Sequence, residues 1–192
     1  MRALTSILVM SFTGFPAAAR QMYVSLCNLG ELSDSTVTRA KAETESVFLS
    51  AGVQIEWKSC DEGPDGSVRT VWFTLRLRSG RPPQTAGPAS LYAMGRAFLS
   101  PNGSGYLADA YIESIRVLAD RYQGDPDALL GYVIAHELGH LLLGPGHVPD
   151  RIMRAAWNEG ELRALRQRWF KFNQAERIRI QRELNLRDRN SR

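Results

Sequence analysis

The segment from Pro126 to Leu143 constrains the fold of this chain more than any other. It reads PDALLGYVIAHELGHLLL and is apolar almost all the way round after its first turn. A helix with that pattern has no solvent face and must be buried. Its limits are set by local chemistry. Asp125 suits the N-cap, Pro126 the first helical position, and Asp127 complements the helix dipole. Gly144-Pro145-Gly146 stops it. Inside it lie His136, Glu137 and His140. Two histidines and a carboxylate on a buried helix need partners.

A metal ion supplies them. His136 and His140 are four residues apart, so both imidazoles point from one helix face toward one ion. Neutral imidazole nitrogen is a preferred zinc ligand at about 2.0–2.1 Å. Glu137 can reach a water on that ion without binding the metal, which is the placement of a general base. Zinc lowers the pKa of bound water toward ~7, and Glu137 takes its proton as it attacks a polarised carbonyl. A catalytic zinc takes three protein ligands and keeps one open position. His147, beyond the Gly-Pro-Gly stop, is the third candidate, and the chain's three histidines all fall between 136 and 147. A structural zinc would more often recruit cysteine and has no use for Glu137.

The remaining elements follow from periodicity. Gln21 to Asn28 reads as a first strand, Ser33 to Ser50 as a helix stopped by Gly52, and Val53 to Lys58 as a second strand. Strand, helix and strand form a right-handed parallel crossover. Thr70 to Arg78 alternates as a third strand. Leu91 to Leu99, with Gly95 inside it, is a weaker one, and Tyr106 to Ile112 is its partner across the turn at Ser100 to Gly105. Glu113 to Tyr122 is ambiguous, with a short helix as one reading. A turn around Val148 to Met153 follows the long helix. Two helices, Glu159 to Arg168 and Asn173 to Leu184, close the chain, the second opened by an Asn173–Glu176 capping box. The fold class is α+β: a twisted mixed five-stranded sheet with a backing helix and the histidine-bearing helix, then a small, mostly helical C-terminal part.

The 192 residues are 44% hydrophobic and 23% charged, enough for one domain with a real core. Residues 1–19 read as a secretory signal: Arg2, the apolar run Ala3 to Phe12, then Ala17-Ala18-Ala19 before the cut. The plain alternative is a buried strand or helix. The run falls well short of the ~20 residues a membrane span requires. Export implies an oxidising compartment, so Cys27 and Cys60 should pair, contributing roughly 3–4 kcal/mol on the chain-entropy model. The rival role for Cys27 is an inhibitory zinc ligand. Residues 151–192 hold 12 Lys+Arg against 5 Asp+Glu. Such a run favours anionic partners or forms a solvated helix face. No nucleic-acid module is present.

The motif resembles that of the metzincin clan of zinc metallopeptidases, in layout a minimal matrixin-like catalytic domain. The clan's His-Glu-x-x-His-x-x-Gly-x-x-His reads here HELGHLLLGPGH, followed by VPDRIM. The resemblance implies zinc held by His136, His140 and His147, Glu137 as general base, Gly144 as the helix-ending glycine, and Met153 as the methionine beneath the metal. It implies an upper part, 20–144, with sheet and zinc helix, and a lower part, 145–192, with third ligand, methionine turn and C-terminal helices. It also implies a monomer acting on a peptide or protein substrate. That peptide would lie along the Leu91–Leu99 strand, with the segment after Met153 lining the pocket beyond the scissile bond. There are departures. Leu143 adds one residue before the glycine, turning the chain by about 100°. Trp157 stands where some members place a tyrosine ligand, and Ala19 leaves no room before the first strand for a long inhibitory propeptide. The activity expected is that of a secreted or periplasmic zinc endopeptidase. The rivals are a non-catalytic exported zinc-binding or interaction domain and a small-substrate amidase such as a deformylase. The upstream cysteine motif of the deformylases is absent.

Overall fold

A computed structural model describes residues 19–64, 71–83, 93–149, 151–166 and 170–190, with side chains left out at 163–166 and 190. The expected signal segment, apart from Ala19, lies outside the described residues. The chain forms β1 (Arg20–Asn28), α1 (Asp34–Leu49), β2 (Val53–Ser59), β3 (Val71–Arg78), β4 (Gly95–Phe98), β5 (Leu107–Tyr111), α2 (Ile112–Arg121), α3 (Pro126–Leu143), α4 (Glu159–Arg166) and α5 (Gln174–Asn190).

The five strands make one mixed sheet in the order β2-β1-β3-β5-β4, in which only β4 runs antiparallel. The β1–α1–β2 crossover is parallel, with Met22 opposite Ile55 and Val24 opposite Trp57. β4 and β5 form the expected hairpin, closed by Ser100 N–H on the Ser104 carbonyl at 2.8 Å. β4 is therefore an edge strand. β3 shows the alternation read from the sequence, with Val71, Phe73, Leu75 and Leu77 buried.

Helix α3 starts and stops where its caps dictate. Asp125 accepts from the Asp127 and Ala128 N–H groups at 3.0 and 3.2 Å. Every residue from Leu129 to Leu142 is buried, between α1 on one side and the sheet and α5 on others. The ambiguous segment is a helix, α2. Its Ile112, Ile115 and Ala119 share one face and enter the core. The capping box at α5 closes reciprocally: Asn173 N–H donates to Glu176 at 2.7 Å, and Glu176 N–H to Asn173 Oδ1 at 2.9 Å. The helix then continues six residues beyond the expected Leu184, to Asn190. Cys27 and Cys60 are joined in a disulfide at the ends of the neighbouring strands β1 and β2, so Cys27 is not a free ligand.

The basic C-terminal run has an internal task. Arg187, 8% exposed, donates to the Leu141 carbonyl at 2.6 Å and to the Gly105 carbonyl at 2.9 Å. Arg179 donates to the Leu143 carbonyl at 2.7 Å. The last carbonyls of a helix have no partner within it. Two arginines of α5 supply partners to α3, where positive charge also suits the dipole.

Candidate metal centre

His136 and His140 sit one above the other on α3, and their Nε2 atoms are 3.0 Å apart. His147 Nε2 is 3.2 Å from that of His140. A tetrahedral zinc with nitrogen ligands at about 2.0–2.1 Å separates its ligand atoms by about 3.4 Å. The three histidines thus have the spacing of a ligand set, and among the described residues they form the one such group.

The far side of each helix imidazole fixes its tautomer. His136 Nδ1 lies 2.6 Å from the Ile152 carbonyl, and His140 Nδ1 lies 2.9 Å from the Gly144 carbonyl. A carbonyl only accepts, so each Nδ1 carries the proton and each neutral ring keeps its lone pair on Nε2. Two lone pairs facing at 3.0 Å repel, and a cation between them would resolve the conflict. Burial, then the neighbouring His140, hold His136 down to about 3, while burial lowers His140 and His147. The rings stay neutral at ordinary pH, the state in which imidazole binds a metal.

Gly144 absorbs the extra residue. Its φ of 85° lies in the left-handed region that favours glycine. Its N–H closes the helix on the His140 carbonyl at 2.9 Å, and its own carbonyl receives His140 Nδ1. The chain then turns so that His147 returns to the metal side. Val148 N–H bonds the Met153 carbonyl at 3.0 Å and closes the next turn. That turn delivers the Ile152 carbonyl to His136 and buries Met153 beneath α3, its sulfur in the space left by the absent side chain of Gly139.

Glu137, 6% exposed, lines the same cavity as the histidines. Burial pushes its carboxyl up to about 8, opposed by a hydrogen bond from the Ala97 backbone on β4 and reinforced by Asp109. Asp109 is itself buried in a two-bond pair with Arg76, at 2.6 and 3.0 Å. The carboxyl has room only because residue 95 is glycine: a Cβ there would lie 2.5 Å from Glu137 Oε1. Gly95→Ala should therefore displace the carboxylate and lower kcat by about tenfold or more while zinc content stays unchanged, read by metal analysis beside hydrolysis assays. The sequence shows Gly95 only as a residue inside a weak strand; a strand glycine can mark a close approach, and the approaching group is Glu137.

The cavity has a volume of about 740 Å³ and opens beside β4. Trp157 forms part of its wall, edge-on to the His136 ring at 5.7 Å and to Phe170 at 4.9 Å. Ser114, Leu118 and Arg121 of α2 form another part, which the sequence did not reveal.

No protein-family model matches the sequence, and no curated protein matches it. Solved structures do. An archaemetzincin from Methanopyrus kandleri superposes with a TM-score of 0.54 at 20% identity, over 88% of this chain and 98% of that one. Metalloproteinase-II from Bacteroides fragilis does so with a TM-score of 0.50 at 14% identity, over 87% of this chain and 54% of that one. At these identities the likeness establishes the fold alone: a mixed sheet with helices, of the kind seen in these two structures.

Proposed function

We propose that this chain is a zinc-dependent peptidase in which His136, His140 and His147 hold the metal and Glu137 is the general base. One observation carries the proposal: three Nε2 atoms converge beside a buried carboxylate in the wall of an open cavity. When bound, zinc supplies a Lewis acid that polarises a carbonyl and acidifies water. Glu137 accepts a proton from the attacking water and returns it to the leaving nitrogen. As an edge strand of the sheet, β4 offers backbone groups to an extended peptide, bringing its carbonyl past Glu137. Met153 and Ile152 hold the base of the site and the His136 tautomer. The disulfide supports export to a secreted or periplasmic setting. No helix among the described residues is long and apolar enough to cross a membrane.

The purified protein is expected to carry one zinc per chain and to hydrolyse a generic protein substrate, with chelation ending the hydrolysis. Stoichiometric zinc without hydrolysis would establish the non-catalytic alternative instead. Chelation should also lower Tm by about 10 °C, since free zinc at about 1,000 times Kd is worth about 4 kcal/mol. pH shapes that difference. Unfolded, His136 titrates near 6.5 and Glu137 near 4.5; the metal-free fold shifts them to about 3 and about 8. Stability from neutral His136 is full above about 6.5 and lost as pH falls toward about 3. Stability from protonated Glu137 is full below about 4.5 and lost as pH rises toward about 8. No pH relaxes both groups without the ion, whose charge favours neutral ligands and an ionised carboxylate together. The gain in Tm from zinc should thus grow between pH 5 and 8, as scanning calorimetry would show.

A further inference from the structure

Helix α2 turns two different faces to its surroundings. Ile112, Ile115 and Ala119 enter the core. Ser114, Val117, Leu118 and Arg121, at positions i, i+3, i+4 and i+7, form a single stripe along the cavity. The stripe is apolar in its middle and polar at both ends. Val117 is 45% exposed, so among the described residues no protein segment covers it.

The two ends each lack something. Ser114 is 92% buried, and its hydroxyl has no hydrogen-bond partner among the described residues. A buried hydroxyl without a partner is costly, and native folds rarely leave one unless a ligand or water completes it. At the other end is Arg121. Four arginines line the cavity: Arg81, Arg96, Arg121 and Arg154. Arg81 is paired with Glu113 at 2.9 Å, and Arg154 with Glu161. Arg96 lies over the Phe98 ring at 5.0 Å. Arg121 has no ion pair among the described residues. Side chains on a helix lean toward its N-terminus, so the Arg121 side chain can reach back along the stripe toward Ser114. Among the described residues, Glu137 is the one acidic residue in the cavity wall.

We propose that this stripe is a specificity pocket for a carboxylate of the bound peptide, with Arg121 as its charge partner, Leu118 and Val117 along its stem, and Ser114 as a hydrogen-bond donor at its inner end. The pocket rests on the peptidase assignment for its substrate, but its recognition chemistry stands apart from catalysis. A carboxylate accepts from both a guanidinium and a hydroxyl and carries the charge that matches the guanidinium, whereas an amide brings no charge and an ammonium has no acceptor. The carboxylate belongs either to a Glu side chain or to the free C-terminus of the peptide.

The test measures binding on zinc-loaded Glu137→Gln protein, which holds peptides without turning them over. The probes are matched short peptides: one with internal Glu and an amidated end, one with Gln in its place, and the Gln peptide with a free terminal carboxylate. One of the two carboxylate peptides should bind about tenfold tighter than the amidated Gln peptide, and which one does identifies the source. The preference should shrink as salt rises, because Arg121 is exposed. Arg121→Met should bring the ratio close to one, and Arg121→Glu should reverse it toward a Lys peptide. Ser114→Ala should reduce it several-fold. Equal binding of all three peptides, or an unchanged ratio in Arg121→Met, overturns the pocket. Failure of wild-type zinc protein to hydrolyse any of the peptides overturns the peptidase assignment and leaves the binding ratios to decide the pocket.

Discussion

Glu137→Gln is expected to lower kcat for peptide hydrolysis by about a thousandfold or more while zinc content and Tm stay near wild type. A positioned general base contributes about 10²–10⁴ in rate. Gln keeps the shape of Glu137, so it still fits the space opposite Gly95 and still accepts from the Ala97 N–H. It loses only the ability to take a proton. The loss should fall on kcat and leave KM nearly unchanged, because the carboxylate makes its special contribution in the transition state. The pH profile gives a second readout. Wild-type activity should rise with pH through an acidic limb as Glu137 ionises in the zinc-loaded protein, and any residual activity of the variant should lack that limb. Activity within tenfold of wild type would show that another group takes the proton.

The centre of this site was legible because its determinants are local. The N-cap at Asp125, the proline at 126, the i, i+4 histidines and the stop at Gly144 each act over only a few residues. Such chemistry is written in order along the chain. The elements that support the site are not. Gly95 makes room for a carboxylate 42 residues downstream, and Ile152 fixes the tautomer of a histidine 16 residues upstream. Neither link has a sequence period. The α2 stripe escaped for a related reason. Its core face has only Ile112, Ile115 and Ala119, and its other face mixes Ser114, Val117, Leu118 and Arg121. Periodicity separates these two faces but does not say whether the mixed one meets solvent or a cavity, because the cavity is built by residues distant in the chain. Leu143 shows the opposite case. Spacing alone gave its rotation of about 100°, while its accommodation depended on one left-handed backbone angle at Gly144.

Arg187→Met should destabilise the fold by about 3–5 kcal/mol, a fall in Tm of about 10 °C or more. Charge in the last helix invites a surface interpretation, yet this side chain is the deepest cation of α5. Its guanidinium reaches the Leu141 carbonyl of α3 and the Gly105 carbonyl before β5, and pairs with Glu183 at 2.8 Å. It also lies over the rings of Phe73 and Tyr106, at 5.4 and 4.9 Å. Met retains much of the stem but no donor, so two carbonyls lose the arginine as a donor and Glu183 loses its charge partner. Each buried unsatisfied group costs about 1–3 kcal/mol. Arg187→Lys should recover part of the loss, since an ammonium keeps the charge but cannot span three acceptors in a fixed fork. Arg179→Met is the comparison: Arg179 is exposed, and its single bond to the Leu143 carbonyl should cost less than about 1 kcal/mol. The effect should reach the metal. The Leu141 carbonyl sits one residue after His140, so loosening that end of α3 should weaken zinc binding in Arg187→Met and leave it unchanged in Arg179→Met. A Tm for Arg187→Met within about 2 °C of wild type would mean that α5 does not hold the end of the histidine helix.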